Sequence, residues 1–407
     1  MVQQWFEVQR HRGQVYVARQ SGGRPQLQDH QAVVQIVAAG ICGTDIRVMK
    51  GDKKIAANAH DYIISGHEGV GRIVAVGDGE EEFKPGDYVV VLPHVHKKDV
   101  ICSALEINPT CISRGHTLHR GWDIDGCFAD FIVVPTTSLK RIAPQALRLA
   151  EELAPDLGIA IFALVEPTLC VLSAYVLLEE QSEILLRRGL TAGRALVIGS
   201  GPIGVLHGLA LLKRGYAVWF RDIQRKRAEL ARWCLKDQAH VFNEEHDPQD
   251  FDIVMVAASS AEAVRKAEAA VKDGGIVYLF AGLNAIDQIA MDAAGVFSYE
   301  GLHRSTKGMV TITSFGHKDK TIFYLGHSGY FEHLAGEAIS VIAEQAGELS
   351  RVITGIIPGW SSSHIESRLP GGADWETEDK SPAIISVLHD ANVHHRHCKI
   401  LVCPRLL

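Results

Sequence analysis

The sequence predicts an α/β protein with two or more domains, and three observations support this prediction. The first third of the chain is rich in short β-branched runs separated by Gly, Pro and Asp. The middle third alternates short apolar strands with helical stretches, a pattern typical of βαβ units and a parallel sheet. The length of 407 residues is enough for two domains with insertions, or for three.

The composition is that of a globular protein with a slightly acidic balance. Hydrophobic residues make up 47% of the chain and charged residues 22%, which excludes a disordered protein. The 41 Lys and Arg against 48 Asp and Glu give a net charge of −7, which argues against nucleic acid as a partner. We see neither a signal peptide after Met1 nor an uninterrupted apolar run long enough to span a membrane. We therefore expect a cytoplasmic protein with no membrane partner.

The β-rich first third contains four strand candidates. Each is a compact apolar run with turn residues on either side, which favours a barrel-like or sandwich-like fold. The candidates are Ala32–Ala39, Gly69–Val76, Tyr88–Leu92 and Phe128–Pro135.

The remaining two thirds read as alternating elements followed by a mixed region. The middle third has strands at Arg194–Ile198, Ala217–Phe220, Asp252–Ala257 and Gly275–Phe280, and helices at Ile203–Arg214, Arg225–Lys236 and Ala261–Val271. The last hundred residues predict a helix over His333–Glu348, a loop over Ser361–Asp379 and a final strand at Lys399–Val402.

A glycine-rich turn joins the first strand and helix of the middle third. The run Gly199-Ser200-Gly201-Pro202-Ile203-Gly204 fits the pattern G-x-G-x-x-G, and its place between a strand and a helix is what gives that pattern meaning. Gly199 would form the tight turn, Gly201 would let the backbone approach a pyrophosphate, and Gly204 would let helix and strand pack closely. The free N–H groups of the helix N-terminus favour phosphate there. The turn predicts a dinucleotide site.

An acidic residue ends the next strand. Asp222 follows Gly199 by 23 residues, where a carboxylate accepts hydrogen bonds from a ribose 2′-OH and repels a 2′-phosphate. This favours NAD over NADP. The choice stays open because four basic residues nearby could hold a 2′-phosphate: Arg221, Arg225, Lys226 and Arg227.

Four residues in the first half of the chain suit a metal ion. Cys42 follows the first strand candidate, His67 and Glu68 come 25 and 26 residues later, and Glu166 precedes the βαβ region. A thiolate, an imidazole and one or two carboxylates form a mixed donor set typical of zinc. Three protein ligands would leave one position for water or substrate, as in catalytic zinc sites. Taken alone, Cys42 is more often a small buried apolar residue, His67 a hydrogen-bonded core histidine and Glu166 a residue at a helix start. Their combination beside a dinucleotide turn favours a metal site.

These motifs together resemble one protein family. The chain is similar to the medium-chain dehydrogenases/reductases of the zinc-dependent alcohol and polyol dehydrogenase type. The matching segments lie in the family's order and extend over most of the chain: Cys42–Asp45, Gly66–Gly71, Lys84–Val89, Glu166-Pro167, Gly199–Gly204 and Lys399–Val402. The acid at Glu166, followed by proline, resembles the sorbitol and threonine dehydrogenase branch.

The resemblance implies a domain arrangement. A GroES-like, β-rich catalytic domain would be built from residues 1–165 and 311–407. A Rossmann domain with a doubly wound parallel sheet would be inserted between them, over residues 166–310. Relatives of this kind are usually homodimers or homotetramers, and we expect the same here.

The resemblance also implies residue roles. Cys42 and His67 match ligands of one catalytic zinc ion, and Glu68 and Glu166 match positions that ligate zinc in some members of the family. Thr44 matches the hydroxyl that takes the substrate proton. Some relatives pass this proton on to a histidine, but here that position is Arg47, which cannot act as a base. The proton would therefore leave through Glu68 or water. The residues matched to cofactor contacts are Gly199, Gly201, Pro202, Ile203, Gly204, Asp222, Arg227, Gly282, Leu283 and Phe315.

A second metal site is a weaker hypothesis. Many relatives hold a structural zinc on four closely spaced cysteines, whereas this region has only Cys102 and Cys111. His94 and His96 precede them, which leaves two alternatives for this region: a Cys₂His₂ site or a plain loop.

The expected activity is the reversible, NAD-dependent oxidation of a secondary alcohol to a ketone, with a polyol, cyclitol or amino alcohol as the small-molecule substrate. One alternative is an NADPH-dependent carbonyl reductase in a biosynthetic pathway, which the basic run Arg225–Arg227 would favour. An alternative of another class is a non-catalytic nucleotide-binding protein, which predicts a damaged zinc site.

Overall fold

The computed structural model describes most of the chain and divides it into two compact units. The described residues are 3–11, 14–22, 27–49, 62–98, 100, 106–180, 193–283, 310–313, 320–360, 362–377, 382–384, 387 and 397–403. Unit 1 comprises Met1–Cys102, His116–Pro167 and His333–Leu407, and unit 2 comprises Ser103–Gly115 and Thr168–Glu332.

Unit 1 is built mainly of antiparallel strands. Its strands are β1 (Gln3–His11), β2 (Gln14–Gly22), β3 (Gln31–Gly40), β4 (Tyr62–Ile64), β5 (Glu68–Val76), β6 (Tyr88–Val91), β7 (His94–His96), β8 (Thr117–His119), β9 (Phe131–Pro135), β10 (Leu139–Arg141), β18 (Ile353–Ile357), β19 (His364–Ser367), β20 (Trp375–Glu376) and β21 (Lys399–Val402). The largest sheet runs β10-β6-β5-β3-β21-β18-β19-β20, with β9 also pairing with β3. Two smaller sheets run β2-β1-β4 and β7-β8.

Strand β3 is the centre of this sheet. It pairs with β5, β9 and β21, so both ends of unit 1's sequence meet on it. Apart from the half-buried Val37, its Ala, Val and Ile side chains are buried on both faces, which suits β-branched and small residues in a covered sheet. The four strand candidates of the first third are confirmed, although the one at Phe128–Pro135 begins at Phe131.

Unit 2 is a parallel sheet with flanking helices. Its strands are β11 (Arg194–Ile198), β12 (Ala217–Arg221), β13 (His240–Val241), β14 (Phe251–Val256), β15 (Val271–Leu279), β16 (Val310–Thr313) and β17 (Thr321–Gly326). They run β13-β12-β11-β14-β15-β17-β16, parallel except for β16. The six parallel strands have the 3-2-1-4-5-6 order of a Rossmann fold, which confirms the predicted fold class.

Nine α-helices occur in the described ranges. They are α1 (Gly43–Met49), α2 (Pro109–Ser113), α3 (Pro144–Leu153), α4 (Val165–Glu180), α5 (Pro202–Lys213), α6 (Arg225–Cys234), α7 (Ala261–Ala270), α8 (Ala335–Glu344) and α9 (Ala346–Leu349). Short 3₁₀ turns lie at Thr136–Ser138, Gly158–Leu164, Glu332–Leu334 and Ser350–Val352. The continuous helical stretch Gly158–Glu180 is long and apolar enough to cross a membrane, but 83% of its most apolar window is buried inside the protein, as in the core helix of a folded domain.

The structure departs from the sequence expectations in several places. The predicted helix His333–Glu348 is divided into a 3₁₀ turn at Glu332–Leu334, α8 and α9. Residues Ser103–Gly115, expected in the catalytic domain, belong to unit 2. The predicted loop Ser361–Asp379 contains the short strands β19 and β20, because β19 pairs with the edge of β18 and β20 with β19. Unit 2 extends to Glu332, whereas the expected inserted domain stops at 310. The added residues carry β16 and β17, and β17 pairs in parallel with β15 inside the sheet.

Candidate metal centre and dinucleotide site

Three of the four predicted metal ligands lie together in unit 1. One potential ligand atom each of Cys42, His67 and Glu68 lies within 4.8 Å of the others. Cys42 follows β3 and precedes α1, while His67 and Glu68 stand at the start of the neighbouring β5. His67 and Glu68 are buried and Cys42 is half-buried. A thiolate, an imidazole and a carboxylate at this spacing fit a zinc ion by their chemistry.

Asp45 contacts both His67 and Cys42 and holds these two residues in place. Its Oδ1 lies 3.3 Å from His67 Nδ1, and its Oδ2 accepts a 2.9 Å hydrogen bond from the backbone N–H of Cys42. Burial opposes ionisation of both partners, yet the His67 imidazolium holds the pKa of Asp45 below its ordinary value. Asp45 and Cys42 likewise raise the pKa of His67 well above its ordinary value against the effect of burial. A carboxylate on Nδ1 orients Nε2 toward a metal, and a bound cation would replace the imidazolium proton.

Glu68 is paired with a lysine from the far end of the chain. Lys399 Nζ donates to Glu68 Oε2 at 2.7 Å and to Oε1 at 2.8 Å, and also to the carbonyl of Ile41 at 3.1 Å. Both side chains are buried. Burial would lower the pKa of Lys399, but the Glu68 carboxylate raises it, so the ammonium stays charged. Lys399 therefore fixes the Glu68 carboxylate and neutralises it.

Thr44 and Glu166, the other two predicted site residues of unit 1, are not among the three grouped donors. Thr44 is half-buried in the first turn of α1, two residues after Cys42. Glu166 is half-buried in the first turn of α4 and is not one of the three grouped donors. Its charge contributes to the raised pKa of Lys399, after those of Glu68 and Cys42. Glu166 thus belongs to the electrostatic surroundings of the cluster.

A turn that the sequence reasoning did not single out lies against His67. His119 stacks on Trp122 with ring centroids 3.2 Å apart, and the two rings lie 5.2 and 5.6 Å from the His67 ring. The backbone N–H of His119 donates to Asp123 Oδ2 at 2.8 Å, which fixes the turn. Nothing in the local sequence signals this contact, because His67 and His119 are 52 residues apart.

The hypothetical second metal site does not form among the described residues. His94 on β7 pairs with His119 on the antiparallel strand β8, at 4.4 Å between ring centroids. Within the described ranges, neither His94, His96 nor Cys111 belongs to a group of three metal-binding side chains, and Cys102 lies outside those ranges. Cys111 sits on α2, which belongs to unit 2.

The glycine-rich turn of unit 2 has the shape that a dinucleotide needs. Gly199 adopts a positive φ of 101°, and a Cβ there would lie 2.9 Å from the backbone of Ala257. At Gly204 a Cβ would overlap the carbonyl oxygen of Gly199. At Gly201, by contrast, a Cβ would meet only the Arg227 guanidinium, at 3.3 Å. The backbone at Gly201 is therefore open to a ligand, next to the N-terminus of α5, where Pro202 and Ile203 are half-buried.

Asp222 stands at the end of β12 as predicted. Its Oδ2 accepts a 2.8 Å hydrogen bond from the backbone N–H of Ser200, within the glycine-rich turn, and its Oδ1 accepts one of 3.0 Å from Gln224. Arg227 Nε lies 3.8 Å from the same carboxylate. These bonds fix a carboxylate beside the glycine-rich turn Gly199–Gly204, where a ribose hydroxyl can reach it. We call this segment the phosphate turn.

The remaining predicted cofactor contacts follow β15. Gly282 is half-buried, whereas the Leu283 side chain packs in the hydrophobic cluster of the unit, so only its backbone can meet a ligand. Phe315 lies outside the described residues.

Comparison with known proteins agrees with this geometry. The family model of the alcohol dehydrogenase GroES-like domain matches residues 28–144. D-altritol 5-dehydrogenase of Agrobacterium fabrum is 32% identical over 266 residues, which are 64% of this chain and 71% of that protein. L-threonine 3-dehydrogenase of Bacillus licheniformis is 28% identical over 188 residues, 45% of this chain and 46% of that enzyme.

A solved structure extends the likeness to the whole fold. Haloferax mediterranei glucose dehydrogenase in complex with NADP, Zn and gluconolactone superimposes with a TM-score of 0.65 at 19% identity, covering 98% of each chain. The donor cluster of unit 1, the phosphate turn of unit 2 and these matches lead to one conclusion. The chain belongs to the zinc-dependent medium-chain dehydrogenase/reductase superfamily.

Proposed function

We propose that the protein is a zinc-dependent, NAD-linked dehydrogenase that interconverts a secondary alcohol and its ketone. The substrate class is a polyol, cyclitol or amino alcohol. The observation that carries this proposal is the donor cluster of Cys42, His67 and Glu68 in a chain that also has the phosphate turn. The altritol and threonine dehydrogenases among the relatives support this substrate class.

Each donor has a defined task in this proposal. Cys42 and His67 hold the metal, and Asp45 keeps the His67 ring oriented. Zinc bound there would polarise a substrate hydroxyl and lower its pKa. Glu68 is a direct ligand or stands beside the metal, held by Lys399 in either case. Glu166 adds negative potential near Lys399.

The substrate proton needs an acceptor next to the metal. We assign this role to the Thr44 hydroxyl, which follows Cys42 by two residues on α1. Arg47, one turn later on the same helix, is permanently charged and cannot act as a base. Glu68 or water then takes the proton onward.

Asp222 supports NAD as the coenzyme. A fixed carboxylate at the end of β12 accepts bonds from a ribose 2′-OH and repels a 2′-phosphate. A specific observation favours the alternative, an NADPH-dependent carbonyl reductase: Arg225 and Lys226 are exposed next to Asp222. Arg227 is less available to a phosphate, because it already faces the Asp222 carboxylate. A non-catalytic role requires a damaged metal site, and the three donors are together.

Two titrations and a substrate panel test the proposal. The affinities for NADH and NADPH are measured first, and NADH is expected to bind at least ten times more tightly. Sugar alcohols, cyclitols and amino alcohols are then screened for NADH formation. Much tighter binding of NADPH would favour the reductase instead, and no turnover of any alcohol by zinc-loaded protein would refute the proposed activity. Mass measurement in solution tests our expectation of two or four copies per assembly.

A further inference from the structure

Two buried histidines flank one phenylalanine in unit 2. His207 lies on α5, one turn beyond Gly204, and His327 follows β17. The Phe280 ring meets the His207 ring at 4.6 Å and 81°, and the His327 ring at 5.4 Å and 74°. Phe280 is therefore held edge-to-face between two imidazoles, an arrangement that aromatic rings favour.

A tyrosine hydroxyl accompanies each imidazole. Tyr175 Oη donates to the backbone carbonyl of His207 at 3.2 Å and lies 3.4 Å from its Nδ1. Tyr278 Oη lies 2.8 Å from His327 Nδ1. All four side chains are buried, and burial, aided by His327, lowers the pKa of His207 to about 3, so its ring is neutral. Each imidazole is therefore held beside a tyrosine hydroxyl, and the His207 ring is uncharged.

The position of Phe280 in the sheet gives this contact a role. In the strand order of unit 2, a dinucleotide lies across the carboxyl ends of the strands, at the switch between β11 and β14. Asp222 marks the adenosine half at the end of β12, so the nicotinamide half falls toward β14 and β15. Phe280–Leu283 leaves the carboxyl end of β15 there. The N–H groups of Phe280 and Ala281 both donate to the carbonyl of Val256, at 3.1 and 3.0 Å.

We propose that His207 and His327 are positioning residues for the coenzyme. Through their ring contacts with Phe280, they set the place of the segment Phe280–Leu283, against which the nicotinamide half binds. This inference rests on one part of the proposed function, namely that unit 2 binds a dinucleotide.

The test compares two ligands that differ in the nicotinamide half. NADH carries the nicotinamide and ADP-ribose lacks it, and both affinities are measured by calorimetry on the full-length protein. His207→Ala removes the ring and is expected to weaken NADH at least tenfold while ADP-ribose changes less than twofold. His207→Phe restores a ring and is expected to stay within threefold of the wild type for NADH. Phe280→Leu, which removes the ring between the imidazoles, should reproduce the selective loss if His207→Ala does not fold.

A matched control separates positioning from stability. Leu211→Ala truncates another fully buried residue of the same helix and should leave the NADH to ADP-ribose ratio unchanged. Equal losses for NADH and ADP-ribose in His207→Ala, or an unchanged NADH affinity, would overturn the positioning role while leaving the proposed function intact. Wild-type protein that binds neither NADH nor NADPH would overturn both.

Discussion

The metal centre depends on buried charges that compensate one another. Cys42, His67 and Glu68 follow from sequence motifs, and the structure brings them together. Their partners differ in how visible they are. Asp45 lies in the same motif as Cys42, so a carboxylate three residues after the thiol is a local signal that could have been used. Lys399 lies 331 residues from Glu68, and only the pairing of β21 with β3 makes them neighbours. No local pattern encodes that contact.

The Lys399–Glu68 pair predicts a non-additive loss of stability. Lys399→Met leaves a buried carboxylate without its partner and is expected to lower the free energy of unfolding by about 3–5 kcal/mol. Lys399→Met combined with Glu68→Gln removes both charges of this pair and should cost less than the single change. Urea unfolding of chelator-treated protein measures both.

An exposed pair serves as control for this prediction. Arg265 and Glu262 lie 3.1 Å apart on α7 with side chains 52% and 58% exposed, so Arg265→Met should cost less than about 1 kcal/mol. A double variant of Lys399 and Glu68 that is as unstable as Lys399→Met, or less stable, would show that the pair does not compensate charge.

His207 predicts a pH dependence of stability. Its pKa is about 3 in the folded protein and about 6.5 in an unfolded chain, so below pH 6.5 the unfolded state binds a proton that the folded state does not. The stability is therefore complete above pH 6.5 and falls toward pH 3, by about 2 kcal/mol at pH 5. In His207→Asn, the loss between pH 7.5 and pH 5 should be smaller by that amount. The exposed His246 is the control, since His246→Gln should leave the loss unchanged. Equal losses in His207→Asn and wild type would contradict the prediction.

Among the elements, those with a strong local pattern were predicted well. Strands β11 and β21 have the predicted bounds, and α5, α6 and α7 differ by a residue or two at their ends. Strands β19 and β20 were missed because their Ser- and Gly-rich surroundings resemble a loop. Their structure is decided by the pairing of β19 with β18 and of β20 with β19. The extent of unit 2 was missed for the same reason. Strand β17 pairs in parallel with β15, and no local sequence pattern indicates that partner.

Substituting two glycines of the phosphate turn should affect different properties: coenzyme affinity at Gly201 and stability at Gly204. Gly201→Ala adds a methyl group that meets only the flexible Arg227 side chain, so the fold should be stable while NADH binds at least ten times more weakly. Gly204→Ala places a methyl group against the carbonyl of Gly199 and should lower the free energy of unfolding by about 1–3 kcal/mol or more. Urea unfolding and NADH titration of both variants test this. Wild-type NADH affinity in Gly201→Ala would contradict the proposed pyrophosphate contact.

At the scale of the whole molecule, the two units divide the proposed chemistry. Unit 1 is assembled from three stretches of the chain and carries the metal donors, and unit 2 carries the phosphate turn. The net charge of −7 is compatible with this proposal. The proposed zinc ion and the basic residues near Asp222 would each act only on their own site, without making the whole surface basic. Neither unit alone holds both groups of residues. We therefore expect dehydrogenase activity only from the full chain.

Zinc analysis coupled to activity tests the central claim most directly. Purified full-length protein is expected to contain about one zinc ion per chain, to lose dehydrogenase activity on chelation and to regain it when zinc returns. Cys42→Ser should lose both the metal and the activity, whereas Cys234→Ser, at a buried cysteine of unit 2, should keep both. Full activity in protein that contains no metal would contradict the account.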